Sequence, residues 1–205
     1  MLEAIDISYN VGNKTILKDV NLCIEGAQVV GLVGPSAAGK TTLEKIIAGH
    51  IGKYAGEVKM DGQDIGGLEG FCPVQLLAQH PQQALDPMLV VGKSLNMAGI
   101  VDEQLMDDLL IDPAWLLRYP PQLSAGQLQR ICIARIFTGD LKYIIADEIC
   151  AMLDTVTQKQ ILEVMLNKVK DDNLGMLFIS HDKDLVAKVA DKIVSMDDIN
   201  AAAYR

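Results

Sequence analysis

Aromatic residues, paired cysteines and positive charge are all scarce in this sequence. Aromatic side chains make up 4% of the 205 residues, so a hydrophobic core must be built mainly from Val, Ile, Leu, Met and Ala. The four cysteines, at positions 23, 72, 132 and 150, form no CxxC pair, which excludes the usual spacing of zinc and redox sites. Eighteen Lys and Arg stand against 27 Asp and Glu, and this net charge of −9 argues against a nucleic-acid partner held through its phosphates.

Long apolar runs are also absent. No stretch approaches the roughly 18 apolar residues that a membrane span requires. The N-terminal segment MLEAIDISYN has no basic region followed by an apolar core, so we expect no signal peptide and free thiols in a reducing compartment. Half of the residues are nevertheless hydrophobic and 22% are charged, which is typical of a globular protein with one large domain or a core carrying an inserted lobe.

Strand-like and helix-like segments alternate, which predicts an α/β fold. The segment 56–65 is expected to be a hairpin around Asp61-Gly62, a strong tight-turn dipeptide. The other predicted strands are 2–9, 15–25, 28–33, 74–79, 142–147, 175–180 and 192–196, and the predicted helices are 41–49, 126–138, 155–172 and 182–190.

The segment 80–122 differs in texture from the rest of the chain. It contains five of the seven prolines and no alternating apolar pattern. We therefore expect one domain over 1–205, with a core at about 1–79 and 139–205 and a mostly helical subdomain at about 80–138.

A phosphate-binding loop is the most specific pattern in the sequence. The segment GPSAAGKT, from Gly34 to Thr41, matches GxxxxGK[ST] between an apolar strand and an amphipathic helix. In such a loop, backbone N–H groups surround a polyphosphate, Lys40 reaches the β- and γ-phosphates, and the Thr41 hydroxyl binds Mg²⁺. An ordinary glycine-rich turn is the alternative. The pattern does not choose among kinases, GTPases, helicases and transport ATPases.

Two further segments carry chemistry. The strand YIIADE ends in Asp147, suited to Mg²⁺, and Glu148, suited to accept a proton from water; two surface acids at a loop are the alternative. The segment LSAGQ, with Ser124 at its second position, opens a helix and offers N–H groups and a hydroxyl to a second phosphate-type ligand. A plain helix cap by Ser124 is the alternative there.

Taken together, these motifs resemble the ATP-binding subunits of ABC transporters over nearly the whole chain. LSAGQ resembles the family's LSGGQ signature, and Gln79 matches the Q-loop glutamine. Ala151-Met152-Leu153-Asp154 resembles the D-loop, His181 in FISHD matches the switch histidine, and Tyr9 matches the adenine-stacking aromatic residue. The segment QHPQQALDPMLVVGKSL is similar to the oligopeptide, dipeptide and nickel importer group.

The resemblance implies a P-loop ATPase fold with a core built on a RecA-like mixed sheet, an N-terminal antiparallel β subdomain and an inserted helical subdomain. It also implies a nucleotide site that binds ATP with Mg²⁺. The nucleotide-binding residues it assigns are Tyr9, Gly34, Pro35, Ser36, Ala37, Ala38, Gly39, Lys40, Thr41, Thr42, Ser124, Ala125, Gly126 and Gln127.

Catalytic and metal roles follow from the same resemblance. Glu148 would be the general base, and His181 would contact the γ-phosphate. Thr41, Gln79 and Asp147 would hold Mg²⁺ or its waters, with Gln79 also counted among the catalytic residues. We expect hydrolysis, because these residues are present.

The implied partners are a second ATPase subunit, permease subunits and a substrate-binding protein. Two ATPase subunits would pair head to tail, because the inserted lobe carries Ser124 away from the ATP that Lys40 binds. Permease subunits would dock near 80–92, on the cytoplasmic inner face of the membrane. Peptides, nickel or metal chelates are the expected substrates of the importer. A soluble non-transport ABC ATPase and a weakly hydrolysing assembly subunit are the alternatives.

Three alanines depart from the family pattern. Ala37 and Ala125 stand where the family usually has glycine, and Ala151 stands where it usually has serine. A Cβ at a position that needs positive φ costs about 1 kcal/mol. The sequence does not say whether either of the first two has such an angle.

Overall fold

The computed structural model describes residues 1–67, 70–99, 102–150 and 153–202. Its strands are β1 (Leu2–Val11), β2 (Lys14–Ile24), β3 (Val29–Val33), β4 (Ala55–Met60), β5 (Gln63–Asp64), β6 (Val74–Leu77), β7 (Tyr143–Asp147), β8 (Gly175–Ile179) and β9 (Lys192–Ser195). Its α-helices are α1 (Lys40–Ile47), α2 (Val91–Ala98), α3 (Glu103–Asp108), α4 (Ala125–Ile136), α5 (Thr155–Asp171), α6 (Lys183–Val189) and α7 (Met196–Ile199). In the described ranges, no helix is both long and apolar enough to cross a membrane.

An antiparallel sheet in the order β2-β1-β4-β5 is formed by the first part of the chain. Tight turns explain its hairpins. Gly12 (φ 58°) lies between β1 and β2, and Asp61 and Gly62 (φ 50° and 81°) lie between β4 and β5. Positive φ at both central residues gives the hairpin turn whose twist matches the strands, so the predicted Asp61-Gly62 turn is confirmed.

A second sheet has the order β6-β7-β8-β3-β9. β3 pairs in parallel with β8 and β9, and β7 pairs in parallel with β8. β7 and β8 are buried almost throughout, as expected for strands covered on both faces. Side chains of both sheets contribute to one hydrophobic core that includes Leu2, Leu32, Ile46 and Leu177.

Close packing of α6 against β3 depends on a missing side chain. A Cβ placed on Gly31 in β3 would lie 2.4 Å from Val186 Cγ1 and 2.9 Å from Ala190 Cβ. Both distances are shorter than real Cβ contacts, so only glycine lets α6 approach the strand this closely.

The described residues group into two compact units. The first contains both sheets and consists of Met1–Leu76, Lys142–Asp147 and Val169–Arg205, of which 203–205 lie outside the described residues. The second consists of Leu77–Leu141 and Glu148–Lys168. Within the second unit, α2 and α4 pack together. Three short 3₁₀ turns, Pro81–Gln83, Pro113–Leu117 and Pro120–Gln122, each begin with a proline.

The predicted α/β class, the antiparallel N-terminal sheet and the helical part of the chain are confirmed. Three elements were predicted to end two residues too late. β6 ends at Leu77 rather than at Gln79, α1 ends at Ile47 rather than at 49, and α4 ends at Ile136 rather than at 138. Helix α7 was not predicted at all. The strand predicted over 192–196 ends at Ser195, whose hydroxyl accepts a hydrogen bond from the Asp197 N–H and so caps the new helix.

Candidate functional site

The loop between β3 and α1 has the conformation expected of a phosphate-binding loop. Lys40, the first residue of α1, folds its side chain back over the loop. Its Nζ donates hydrogen bonds to the carbonyl oxygens of Gly34 at 2.8 Å and Pro35 at 3.0 Å. These contacts hold the ammonium group on the loop, where it can meet the charge of a polyphosphate.

The N-terminus of α1 carries no side-chain cap. The cap position is occupied by Gly39 (φ 97°), which has no side chain that could accept a hydrogen bond from the helix. The first turn of α1 also contains no acidic residue. The first N–H groups of a helix have no acceptor within that helix, and the helix dipole places partial positive charge there. An anion is the natural partner of such a terminus, and Thr41 is exposed in the same turn.

The two departures from glycine have different consequences. Ala37 has φ 67°, in the left-handed region that favours glycine, so this substitution carries strain. Ala125 lies in the first turn of the right-handed helix α4, where alanine is favourable. Of these two alanines, only Ala37 stands where glycine would relieve backbone strain.

Three strand ends of the first unit carry predicted site residues. The phosphate loop follows β3, Asp147 ends β7, and His181 follows β8 with its side chain exposed. Because β3, β8 and β7 are adjacent parallel strands, their carboxyl ends meet at one edge of the sheet. Ligands of open parallel sheets bind at this edge.

A buried carboxyl group that the sequence analysis missed lies beside Asp147. Glu44 in α1 is 1% exposed and shares a hydrogen bond with the Asp147 side chain. Burial, followed by the negative charge of Asp147, raises the pKa of Glu44 to about 8. Glu44 is therefore largely protonated at neutral pH, so that the pair does not bring two full negative charges together. A glutamate four residues after Lys40, on the helix face of Leu43 and Ile47, is a signal that could have revealed it.

The oxygen donors present suit Mg²⁺. Thr41 provides a hydroxyl at the start of α1, and Asp147 provides a half-buried carboxylate at the end of β7. Mg²⁺ prefers hard oxygen ligands and commonly takes only one or two from protein, with phosphates and waters completing its shell. This donor set therefore fits a magnesium ion that arrives with a nucleotide.

Glu148 follows Asp147 and has φ 51°, an uncommon angle for a residue with a side chain. Strained backbone of this kind clusters at functional sites. The neighbouring thiol of Cys150 is buried, and this burial, together with the charge of Glu148, raises the pKa of Cys150 to about 12. Cys150 is consequently a neutral thiol near pH 7.

The LSAGQ segment forms a reciprocal helix cap at the start of α4. The Gln127 N–H donates to Ser124 Oγ at 3.2 Å, and the Ser124 N–H donates to Gln127 Oε1 at 2.9 Å. The capping alternative is thus realised. The Ser124 hydroxyl still has its own proton to donate, and the N–H groups of Ala125 and Gly126 lie in the first turn of α4.

Asp154 also acts as a helix cap. Its Oδ1 accepts hydrogen bonds from the N–H groups of Val156 at 3.2 Å and Thr157 at 3.0 Å. Hydrogen bonds from Thr157, both side chain and backbone, favour the ionised form and lower the pKa of Asp154 below its ordinary value. Ala151 and Met152, the first half of the predicted D-loop, lie outside the described residues.

The remaining predicted residues lie in exposed or half-buried positions. Gln79 is exposed, two residues beyond the end of β6 in the second unit. Tyr9 in β1 is half-buried, pairs with Leu17 of β2 and packs against the hydrophobic core. Pro35 and Ser36 are exposed on the phosphate loop, and Thr42 is half-buried in α1.

A second residue missed by the sequence analysis lies behind the loop. Asn200, which follows α7, is 2% exposed and hydrogen-bonds to the carbonyl of Ala38 at 3.1 Å. No sequence pattern identified it, because α7 itself was not predicted.

The known proteins to which this chain is similar in sequence are ATP-binding proteins of transport systems. A family model described as ABC transporter matches residues 17–151. A dipeptide transport ATP-binding protein of Lactococcus lactis is 31% identical, over 94% of this chain and 69% of the relative. A glutathione import ATP-binding protein of Pectobacterium atrosepticum is 32% identical, over 82% of this chain but only 30% of the relative. A putative peptide import ATP-binding protein of Brucella ovis is 32% identical, and the chain spans 62% of it.

Solved structures agree on the fold. A dimeric ATP-binding cassette in a post-hydrolysis state with ADP and Pi has a TM-score of 0.80 at 24% identity, over 95% of this chain and 94% of that chain. An ATP-binding subunit of an ABC transporter has a TM-score of 0.85, also at 24% identity, over 95% of this chain and 85% of that chain.

Replacing Ala37 by glycine is expected to stabilise the protein by up to about 1 kcal/mol, since glycine adopts positive φ without the clash of a Cβ. Ala125→Gly is the matched control and should instead lower stability by up to about 1 kcal/mol, because glycine is unfavourable in a helix. Urea unfolding of both variants and of the unaltered protein measures the two changes. Destabilisation of equal size in both variants would show that Ala37 is unstrained.

Replacing Glu44 by glutamine is expected to flatten the dependence of stability on pH. The folded protein keeps the Glu44 proton up to about pH 8, whereas an unfolded chain releases it near 4.5. The folded state therefore binds more protons in this window, and the unfolding free energy falls as pH rises through it. Urea unfolding between pH 5 and pH 8.5, without nucleotide or Mg²⁺, measures this fall, whose slope for one group cannot exceed about 1.4 kcal/mol per pH unit.

The exposed Glu25→Gln is the control for this experiment and should keep the pH profile of the unaltered protein. A Glu44→Gln profile that runs parallel to the unaltered one would contradict the raised pKa.

Proposed function

The chain belongs to the ABC transporter family, and from this premise we propose that it is the ATP-binding and ATP-hydrolysing subunit of an importer. The observation that carries the proposal is the phosphate loop, with the Lys40 ammonium bound to two loop carbonyls and an uncapped helix N-terminus beside it. We treat 1–205 as one ATPase domain, with a core at about 1–79 and 139–205 and a helical subdomain at about 80–138.

ATP binding is assigned chiefly to the phosphate loop. Lys40 would contact the β- and γ-phosphates, and N–H groups of the loop would surround them, with the hydroxyls of Ser36 and Thr42 as further donors. Tyr9 would stack on the adenine ring, a role its half-buried ring on β1 allows. The net negative charge of the chain does not exclude this, because Lys40 and the N-terminus of α1 place positive charge at the loop itself.

Hydrolysis is assigned to residues at or just after the ends of β6, β7 and β8, together with Thr41 in α1. Mg²⁺, when bound, would offset the negative charge of the phosphates. Thr41 and Asp147 would hold it, with Gln79 on its waters. Glu148 would accept a proton from the attacking water, and His181 would contact the γ-phosphate. Catalysis of this kind depends on positioning and charge stabilisation rather than on a covalent intermediate.

A second ATPase subunit completes the site in this proposal. The N-terminus of α4 carries the Ser124 hydroxyl and the N–H groups of Ala125 and Gly126, and it would serve as a second anion-binding helix end. In a head-to-tail pair it would meet the ATP bound by the partner subunit. The ATP would then hold the dimer closed, and its hydrolysis would open it. The dimeric cassette among the structural neighbours supports this arrangement.

The transport system is inferred from the named relatives. Their names refer to import of peptides and glutathione and to transport of dipeptides, and we propose substrates of that class or nickel and metal chelates. Permease subunits would dock near 80–92, where Met88 is 79% exposed. The subunit would lie at the cytoplasmic inner face of the membrane, and a substrate-binding protein would deliver the substrate.

The proposed function predicts that Glu148→Gln separates binding from hydrolysis. Since the carboxylate accepts the proton, the variant should bind ATP, lose at least about 100-fold in hydrolysis rate and accumulate as an ATP-bound dimer. Lys40→Ala should lose ATP binding altogether. Fluorescent-nucleotide titration, phosphate release and size-exclusion chromatography measure the three properties.

Glu163→Gln, an exposed carboxyl on α5, is the control and should behave as the unaltered protein. ATP affinity that survives Lys40→Ala unchanged would overturn the proposed function, and hydrolysis at the parent rate in Glu148→Gln would overturn the assignment of the base.

A further inference from the structure

The side chain of Asn200 is buried, and both its NH₂ group and its carbonyl oxygen are hydrogen-bonded. Its Nδ2 donates to the carbonyl oxygens of Ile16 at 2.9 Å and Ala38 at 3.1 Å. Its Oδ1 accepts from the N–H groups of Lys18 at 3.0 Å and Ala202 at 3.1 Å. A primary amide can form about four hydrogen bonds, so the hydrogen-bonding capacity of the Asn200 side chain is fully used. Because carbonyl oxygens surround one end and N–H groups the other, the assignment of Nδ2 and Oδ1 is unambiguous.

The bond to Ala38 controls the direction of one peptide group of the phosphate loop. Peptide units are planar, and the described chain contains no cis peptide bond. In a trans peptide the C=O and the following N–H point in opposite directions. Since the Ala38 carbonyl points toward Asn200, the Gly39 N–H points away from it, on the opposite side of that peptide.

The same C-terminal segment supports both ends of the loop. A Cβ on Gly34, at the beginning of the loop, would lie 2.8 Å from Met196 Cβ. A Cβ on Gly39, at the end of the loop, would lie 2.7 Å from Leu17 Cδ2 and 3.6 Å from Asn200 Nδ2. The loop therefore rests on β2 and on the segment from Met196 to Asn200, all within the first unit.

We propose that Asn200 is a positioning residue for ATP, which holds the Ala38–Gly39 peptide with its N–H toward the bound phosphates. This inference rests on the proposed function, because it concerns the affinity of the phosphate loop. Asn200 touches no nucleotide in this scheme and acts only through the backbone of the loop. Ala37, next to this peptide, has a strained positive φ, so the bond from Asn200 supports a part of the loop whose backbone is unfavourable by itself.

Two substitutions test the proposal. Asn200→Ala removes all four hydrogen bonds, and Asn200→Asp keeps the acceptors for Lys18 and Ala202 but places an oxygen against the Ala38 carbonyl. Both should weaken the binding of a fluorescent ATP analogue by about tenfold or more, the size expected for one lost hydrogen bond to a charged group. The hydrolysis rate at saturating ATP should change much less, so that KM rises and kcat is largely kept.

Ser195→Ala is the matched control. It removes the cap of α7 and so loosens the same segment without touching the Ala38 contact. Its thermal stability should fall as in the Asn200 variants, whereas its affinity should stay within about twofold of the unaltered protein, the size of an indirect effect. Inorganic triphosphate, used as a competitor, should lose affinity for the Asn200 variants by the same factor as ATP, because the effect is on phosphate contacts.

Equal ATP affinity in the unaltered protein and both Asn200 variants would overturn the inference, and so would an equal loss in Ser195→Ala. If an Asn200 variant shows no cooperative thermal transition, Asn200→Ser is used in its place. The affinity of Asn200→Ser for the ATP analogue is then compared with that of the unaltered protein by the same criterion. Failure of the unaltered protein to bind ATP would instead reject the proposed function, so the two failures are distinguishable.

Discussion

The proposed function depends on one constraint: the backbone of the phosphate loop must keep its N–H groups where a polyanion can bind. One of these donors is used within the loop, where the Ala38 N–H donates to the Pro35 carbonyl oxygen at 3.3 Å. A positive side chain must also stay beside the loop rather than extend into solvent. The protein meets this demand with contacts to carbonyls. Lys40 binds those of Gly34 and Pro35, and the Asn200 amide binds that of Ala38. The loop is thus held from within by Lys40 and from behind by Asn200.

Electrostatic balance next to the loop is handled by protonation. In the proposed function Asp147 would hold a cation, and Glu44 lies buried beside it. Two charged carboxylates in that position would repel each other strongly, and neutral Glu44 removes the conflict while it donates or shares a hydrogen bond. Within this carboxyl pair the negative charge consequently lies on Asp147, to which the proposed function assigns Mg²⁺.

Much of this could be predicted from the sequence, because its strongest patterns are local. Glycine spacing between an apolar strand and a helix identified the phosphate loop, and Asp61-Gly62 identified a hairpin turn. Asn200 could not be predicted in this way, since its partners Ile16 and Ala38 are 184 and 162 positions distant along the chain. The angle at Ala37 was also out of reach, because alanine is common in both helices and turns. Glu44 was within reach, as an acid among apolar positions of an amphipathic helix.

The place of Asn200 has a further consequence for the fold. Its four hydrogen-bond partners are Ile16, Lys18, Ala38 and Ala202, so that one side chain joins β2, the phosphate loop and the segment after α7. A substitution that displaces the segment after α7 would therefore reach the loop through a single side chain.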